Sequence, residues 1–192
     1  MGDDATTTLA TGGEIEAAPK PPVSLADELA GVKEALASEK KPKLFELPGY
    51  GRRLMVKYKV VDYDETAEIG EKVGEQVRAE QIDDTVVAGL TDTLVAACVG
   101  FYRGIDAEGK ELSDDDAIPL EVVLGDQEGG PVRWGDDRLV GLLRIQPNPG
   151  ETLRVRAIVR RALGDDKMLV VEHAQDVTRW MERARRQVAT DF

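Results

Sequence analysis

The sequence predicts an α+β protein that is mainly α-helical, with one small β-hairpin. Three observations support this fold class. Apolar residues recur at helical spacings of three and four in several segments after residue 62. One short stretch alternates apolar and polar residues beside the turn-forming sequence PGYG. The hydrophobic fraction of 42% is large enough to fill a core.

The first 43 residues predict two segments that precede the compact domain. Residues 1–23 are rich in Thr, Gly, Ala, Glu and Pro without apolar periodicity, which indicates a disordered acidic tail. Residues 24–43 predict an amphipathic helix and a linker, and the apolar stripe of that helix is Leu25, Leu29, Val32 and Leu36. A compact, mostly helical domain with an N-terminal hairpin is expected over residues 44–192.

The hairpin is predicted from KLFELPGYGRRLMVKYKVV, in which Pro48, Gly49 and Gly51 favour a turn between two strands. The second strand alternates residues expected to be buried with residues expected to face solvent. These are Leu54, Val56, Tyr58 and Val60 on the first face, and Arg53, Met55, Lys57 and Lys59 on the second.

Two helices should follow the hairpin. The first begins near Asp62 and Glu65 and turns Ile69, Val73 and Val77 inward. Its two glycines, Gly70 and Gly74, are weak helix formers and are expected to mark close packing. The second helix begins at Asp84, and its apolar stripe is Val87, Leu90, Leu94, Ala97 and Phe101, widened by Val86 and Cys98.

The rest of the chain predicts a long connection with hairpin character and then three helices. GDDRLVGLLRI is expected to be helical, and its inward residues are Leu139, Leu142 and Leu143. ETLRVRAIVRRAL is expected to be helical up to Gly164. The last helix carries a stripe spaced by four, three, four, three and four, formed by Val170, Ala174, Val177, Met181, Ala184 and Val188.

Composition excludes several classes of function. The net charge of −12 argues against binding to nucleic acid or anionic membranes, because both need an excess of Lys and Arg. Cys98 and His173 are the only residues of their types, so one chain can form neither a disulfide nor a Cys/His zinc site, and a reducing compartment is expected. No apolar run reaches the roughly 18 to 20 residues of a membrane span.

No catalytic, cofactor-binding or metal-binding constellation is predicted. Any Ser/His/Asp or Cys/His arrangement would have to use His173, which lies beside the apolar stripe of a long helix. GYGRRL at residues 49–54 lacks the third glycine of a dinucleotide fingerprint. The acidic run at residues 114–116 lacks calcium-loop spacing and indicates a solvated loop. We therefore expect a non-enzymatic protein without a cofactor.

The terminal helix combines four arginines with large apolar residues. Acidic residues share that helix, and Glu182 and Arg186 have the favourable four-residue spacing of an ion pair, so a nucleic-acid groove is disfavoured. Trp180 and Met181 suit either a core or a protein-binding surface. The sequence leaves these two alternatives open.

The order of segments resembles the tail assembly chaperones of long-tailed, siphovirus-type bacteriophages that infect actinobacteria. The matching segments cover residues 44–192: a hairpin, a DYDE helix start, DTLVAACVGFYRG, PVRWGDDRLVGLL and HAQDVTRWMERARRQVATDF. The resemblance implies a helical assembly-factor domain that binds the tape measure protein and keeps it soluble while the tail tube polymerises around it.

The same resemblance implies the remaining expectations. The chain would be the short product of a frameshifting gene pair, would lie in the host cell cytoplasm, and would be absent from the mature virion. Further partners would be the tail tube protein and the frameshifted long form, and self-association is compatible with the helix spacing. The residues expected to contact a partner are Trp180, Met181, Val177, Phe101 and Trp134.

Two other classes of function are compatible with the sequence. The first is a structural head–tail connector or tail-terminator component of the virion, which would form a ring and be found in purified particles. The second is an acidic regulator that mimics nucleic acid. The second needs its charges in one stripe, whereas this sequence scatters them.

Overall fold

The computed structural model describes Ser24, Gly31 and residues 41–78, 84–147 and 154–190, of which Val77 and residues 187–190 are described by their backbone only. The elements are β1 (Lys43–Leu47), β2 (Gly51–Tyr58), α1 (Tyr63–Arg78), α2 (Thr85–Ala97), β3 (Cys98–Arg103), β4 (Ile118–Pro119), α3 (Leu120–Val123), α4 (Asp137–Leu142), α5 (Val155–Ala162) and α6 (Lys167–Thr190). The predicted α+β class is confirmed. The predicted tail at residues 1–23, and most of the helix and linker at residues 24–43, lie outside the described residues.

The four strands form one antiparallel sheet in the order β1-β2-β3-β4. The predicted hairpin is confirmed as β1 and β2, with Gly49 and Gly51 at φ values of 84° and 54° in the turn. These left-handed values favour glycine because a side chain there would be strained. The alternation along β2 is only partly as predicted. Met55 is 2% exposed because it packs with Leu44 and Ala117 in a second small apolar cluster.

The position of Phe101 corrects the predicted stripe of the second helix. That helix is α2, and it ends at Ala97, after which the chain continues directly into β3. Phe101 lies in β3, opposite Val56 of β2. Residues 98–102 include aromatic and β-branched side chains that suit a strand, and the existing strand β2 offers backbone partners to them. Pairing with β2 therefore overrides a helical spacing that would have continued through Phe101.

α1 begins where Asp62 and Glu65 predicted a helix start, and the structure shows that these two residues form a capping box. The Glu65 amide donates to Asp62 Oδ1 at 2.8 Å, and the Asp62 amide donates to Glu65 Oε2 at 3.3 Å. Gly70 and Gly74 do not mark close packing, since an added Cβ at either position would meet no described atom within 4 Å. That prediction was wrong: Gly70 is exposed and Gly74 is partly exposed, and neither is in close contact with another element.

The long connection after β3 contains only short regular elements. An isolated bridge pairs Ile105 with Glu111, and the acidic residues 114–116 are exposed, as predicted. Leu139 of α4 is buried, whereas Leu142 is 46% exposed and is not an inward residue as predicted. α4 has only six residues, so it presents a narrower face to the core than the predicted stripe requires.

One apolar core joins the sheet to the helices. The largest fully buried side chains include Tyr58, Phe101, Leu47, Leu94, Leu139, Leu163 and Val170. They come from β1, β2, β3, α2, α4, α6 and the end of α5, and all belong to one contiguous cluster. The hairpin and the terminal helix, distant in sequence, therefore share the same interior.

Candidate partner-binding surface at the hairpin and the terminal helix

The stripe predicted on the terminal helix packs into the core along α6. Five of its six residues are at most 5% exposed: Val170, Ala174, Val177, Met181 and Ala184. The side chain of the sixth, Val188, is outside the described residues. Burial of this stripe fixes which side of α6 remains outward, because positions three and four apart share one face.

An aromatic cluster, formed by Phe45, Tyr58, His173 and Trp180, joins the hairpin to α6. Phe45 makes edge-on contacts with the other three rings at centroid distances of 5.8, 6.4 and 5.6 Å, respectively. Phe45 and Trp180 are only partly buried, so the cluster extends from the core to the surface. The Lys43 ammonium group lies 5.4 Å from the Phe45 ring centroid and borders the cluster on its solvent side.

β1 gives this surface a second feature. It is an edge strand, and no described strand pairs with its outer side. An edge strand presents backbone N–H and C=O groups that can pair with an extended segment of another chain. The partly buried rings of Phe45 and Trp180 therefore lie next to an edge with hydrogen-bonding capacity.

Tyr58 and His173, the two buried members of the aromatic cluster, are joined by a hydrogen bond. The Tyr58 hydroxyl lies 3.1 Å from Nε2 of His173, although the two residues are 115 positions apart. Burial lowers the pKa of His173 to about 4, which Asp176 opposes only partly. Burial also raises the pKa of Tyr58 well above its usual value. Both groups are uncharged at neutral pH, so this hydrogen bond connects β2 to α6 without a buried charge.

Phe101 and Trp134 form a second aromatic pair inside the core. Their ring centroids are 4.7 Å apart and the rings are nearly perpendicular, at 86°. Trp134 is 6% exposed, and its Nε1 has no hydrogen-bond partner among the described residues. The Trp134 indole lies close enough to Tyr58 to oppose, in part, the rise in the pKa of that hydroxyl. Nothing in this arrangement gives solvent access to either ring.

The structure separates the five residues predicted to contact a partner. Four of them, Phe101, Trp134, Val177 and Met181, are at most 6% exposed and pack the core. The structure makes these four core residues instead of contact residues, because a partner could touch them only if the core opened. Trp180 is the one of the five that reaches the surface, and its contact with a partner stays a prediction.

Phe45 was not singled out in the sequence, although its ring contacts Trp180 and is, like Trp180, partly buried. The alternation of KLFEL predicts the strand but not which helix would cover it. Tyr58 was predicted to be buried, yet no local pattern links it to His173. Contacts between residues more than one hundred positions apart depend on the topology, which short-range spacing does not specify.

The only cysteine and the only histidine of the chain, Cys98 and His173, are both buried. Burial raises the pKa of Cys98 to about 11, so its thiol stays protonated, and His173 is neutral and enclosed. Among the described residues, no three His, Cys, Asp or Glu side chains converge as metal ligands would. Within the same part of the chain, no helix is both long and apolar enough to cross a membrane.

The arginines of α6 have two separate roles. Arg185 binds inward to the start of α1, where its guanidinium donates to the Val61 carbonyl oxygen and lies 5.1 Å from the Tyr63 ring centroid. Arg179 and Arg186 face outward, and Arg186 forms the predicted ion pair with Glu182 at 3.7 Å. The outward arginines therefore remain at the surface while Arg185 holds two helices together.

Comparison with known proteins identifies no relative. No protein-family model matches the chain, and neither a curated protein nor a solved structure does. Support for a function therefore comes from the residues themselves.

Proposed function

We propose that this protein is a non-enzymatic tail assembly chaperone that binds the tape measure protein of a long-tailed phage and keeps it soluble. The support is the resemblance over residues 44–192, whose segments appear in the family's order. In the fold, those segments contribute to one core. The proposal includes the finer description of the fold, a helical assembly-factor domain.

One surface carries the proposed contact: the partly buried pair Phe45 and Trp180 at the outer edge of β1. A tape measure protein is a long helical chain with apolar seams, and partly exposed aromatic side chains suit such seams. The acidic charge of the chaperone, −12, keeps the complex soluble by repelling other acidic proteins.

The proposal also specifies partners and location. The chain acts in the host cell cytoplasm, is the short product of a frameshifting gene pair, and leaves the complex before the virion matures. Its further partners are the tail tube protein and the frameshifted long form, and a homo-oligomer is compatible with its surfaces.

The first experiment is co-expression with the tape measure protein encoded nearby. We expect the tape measure protein to be soluble with the unchanged chain and to co-purify with it. Trp180→Ala should reduce the co-purified fraction by roughly fivefold or more, because truncation of an aromatic anchor costs about 1–2 kcal/mol of binding energy. Melting temperatures of both forms show whether folding is affected.

Met168→Ala is the matched control, since Met168 is a large apolar residue on the same helix and is 61% exposed at its far end. We expect this variant to bind like the unchanged chain. Equal co-purification and equal melting of the Trp180→Ala variant and the unchanged chain would contradict the proposed surface. An insoluble tape measure protein in the presence of the unchanged chain would contradict the function.

Two further measurements separate the chaperone from a structural component of the virion. The nucleotide sequence at the end of the gene should contain a slippery heptamer and an overlapping open frame. Mass spectrometry of purified particles should not detect the chain. Its presence at several copies per particle would favour a connector or tail-terminator instead.

A further inference from the structure

A run of three apolar residues is exposed at the end of α3. Val122, Val123 and Leu124 are 43%, 39% and 38% exposed, and we call these three residues the α3 patch. The other large apolar residues that are exposed in the described chain are single in the sequence: Tyr50, Tyr63, Val86, Leu142, Val155 and Met168. Single exposed apolar residues are ordinary on a protein surface, whereas three in succession indicate a contact surface.

Hydrogen bonds hold the α3 patch in place. Leu120, the first residue of α3, is 3% exposed, and its carbonyl oxygen accepts from the Leu124 amide at 2.9 Å. Arg138 of α4 binds the loop that follows, because its guanidinium donates to the carbonyl oxygens of Asp126 and Gly129 at 3.2 and 3.1 Å. A partner would therefore meet a preformed surface and would not have to order it on binding.

The chain around the α3 patch is strongly acidic. Residues 104–128 contain nine acidic residues and one basic residue, a net charge of −8 in a chain of −12. Glu121 and Asp126 flank the patch, and the Asp126 amide donates to the Glu121 carbonyl oxygen at 2.9 Å. Seven of the nine are exposed, namely Glu108, Glu111, Asp114, Asp115, Asp116, Asp126 and Glu128.

Ion pairs neutralise only part of this charge. Arg52 pairs with Asp114 at 3.0 Å, and Arg138 pairs with Asp126 at 3.3 Å. After these two arginines are counted, residues 104–128 still carry six negative charges in excess. The surroundings of the α3 patch therefore attract cationic partners and repel anionic ones.

This charge determines which kind of partner fits the α3 patch. Segments of the same chain outside the described residues are themselves acidic. Residues 1–40 contain eight acidic residues and three basic ones, and the segments 79–83, 148–153 and 191–192 contain no basic residue. Nucleic acid and anionic membranes are repelled for the same reason. A cationic helix with one apolar face brings its apolar side chains to the patch and its basic side chains to the carboxylates.

We propose that the α3 patch and the acidic residues around it bind a basic amphipathic helix of a partner protein. Apolar side chains of that helix cover the patch, and its Lys and Arg side chains pair with exposed carboxylates of residues 104–128. The patch follows β4, at the opposite end of the sheet order from β1. This contact leaves Phe45 and Trp180 open, so it is independent of the proposed tape measure binding.

Fluorescence anisotropy with the full chain and a labelled peptide tests the proposal. The probe is a helix of about 15 residues, roughly four turns, with leucines on one face and lysines on the other. It should bind the unchanged chain, and a peptide with glutamates in place of the lysines should not. Val122→Ser/Val123→Ser/Leu124→Ser should weaken binding by roughly tenfold or more at unchanged net charge, because the apolar contact is lost.

A second variant tests the charges and leaves the apolar residues in place. Asp115→Lys/Glu128→Lys should weaken peptide binding by roughly fivefold or more and reduce its dependence on salt. Glu68→Lys/Glu71→Lys is the matched control, since it makes the same change in net charge at two exposed positions of α1. This control should bind the peptide nearly as tightly as the unchanged chain.

Val86→Ser/Met168→Ser is the control for the apolar contact, because these residues are 67% and 61% exposed on α2 and α6. Thermal melting checks the fold of every variant. A lysine peptide that does not bind the unchanged chain would overturn the proposal, and so would control variants that weaken binding as much as their test variants. Sedimentation velocity detects the competing occupant. Self-association that the triple serine variant abolishes would assign the α3 patch to a second copy and would also overturn the proposal.

Discussion

Among single residues, His173 has the clearest effect on how the stability of the fold depends on pH. It is the only histidine of the chain, it is 6% exposed, and its ring bonds the Tyr58 hydroxyl. Protonation of His173 in the folded protein would put a charge beside the Phe45 and Tyr58 rings, where Asp176 offsets it only partly. The fold therefore favours the neutral ring strongly.

This preference predicts a loss of stability in mild acid. The folded pKa of His173 is about 4, below the usual value of 6.5, so the unfolded chain binds the proton first. The contribution of His173 is complete above pH 6.5 and is lost as the pH falls from 6.5 towards 4. Between pH 7 and pH 5 the free energy of unfolding should fall by about 2 kcal/mol from this residue alone.

Urea denaturation of the unchanged chain and of His173→Gln at both pH values measures this contribution. The variant should be less stable at pH 7, since it replaces a packed ring, but its stability should change less between the two pH values. If both proteins lose the same free energy on acidification, His173 is not the group responsible.

At the scale of elements, helix α1 has a well-capped N-terminus but two poor helix formers in its middle. Its capping box satisfies the first amides, and the Lys59 ammonium reinforces it through Glu65 at 2.7 Å. Gly70 and Gly74 then interrupt the helix without any compensating close contact among the described residues. The helix is held mainly by the side that packs on α2, where Val73 is 4% exposed.

Replacing these glycines should stabilise the protein. Gly70→Ala and Gly74→Ala should each raise the free energy of unfolding by about 0.5–1 kcal/mol, because alanine loses less backbone entropy in a helix. Thermal and urea unfolding measure the gain. Gly104→Ala is the contrasting control, since its Cβ would lie 2.5 Å from the Met55 sulfur and 3.2 Å from the Arg52 carbonyl oxygen. It should destabilise the chain by about 1–3 kcal/mol, and a stabilising Gly104→Ala would contradict the packing described.

For the whole molecule, three helices meet at one arginine. Arg156 of α5 binds Asp92 of α2 through both Nε, at 2.7 Å, and Nη2, and it also donates to Gln76 of α1 at 2.6 Å. The side chains of Arg156 and Asp92 are 27% and 17% exposed. A bidentate pair in this partly buried setting is stronger than a surface pair, and it positions α1, α2 and α5 relative to one another.

A double-mutant cycle measures this connection. Arg156→Gln and Asp92→Asn should show a coupling energy of about 1–2 kcal/mol in the free energy of unfolding. The exposed pair Arg160 and Asp165, with side chains 45% and 58% exposed, is the control and should couple by less than about 0.5 kcal/mol. Similar coupling in both cycles would show that Arg156 does not connect the helices more strongly than a surface ion pair does.

The sequence by itself determined the local features of this protein. The hairpin at PGYG, the capping box at Asp62, the cap at Asp84 and the buried stripe of α6 follow from turn chemistry and apolar periodicity, which act over a few residues. Trp180 could be recognised as a candidate because it flanks that stripe, but its partial exposure could not.

Only the tertiary structure decided where the chain changes from helix to strand and which side chains meet. Phe101 became part of a strand because β2 offered it backbone partners, and Trp134 became its interior neighbour. Phe45 joined Trp180, and Tyr58 joined His173, through contacts between distant segments. The physical reason is that spacing reports the period of one element, whereas burial depends on which other elements cover it.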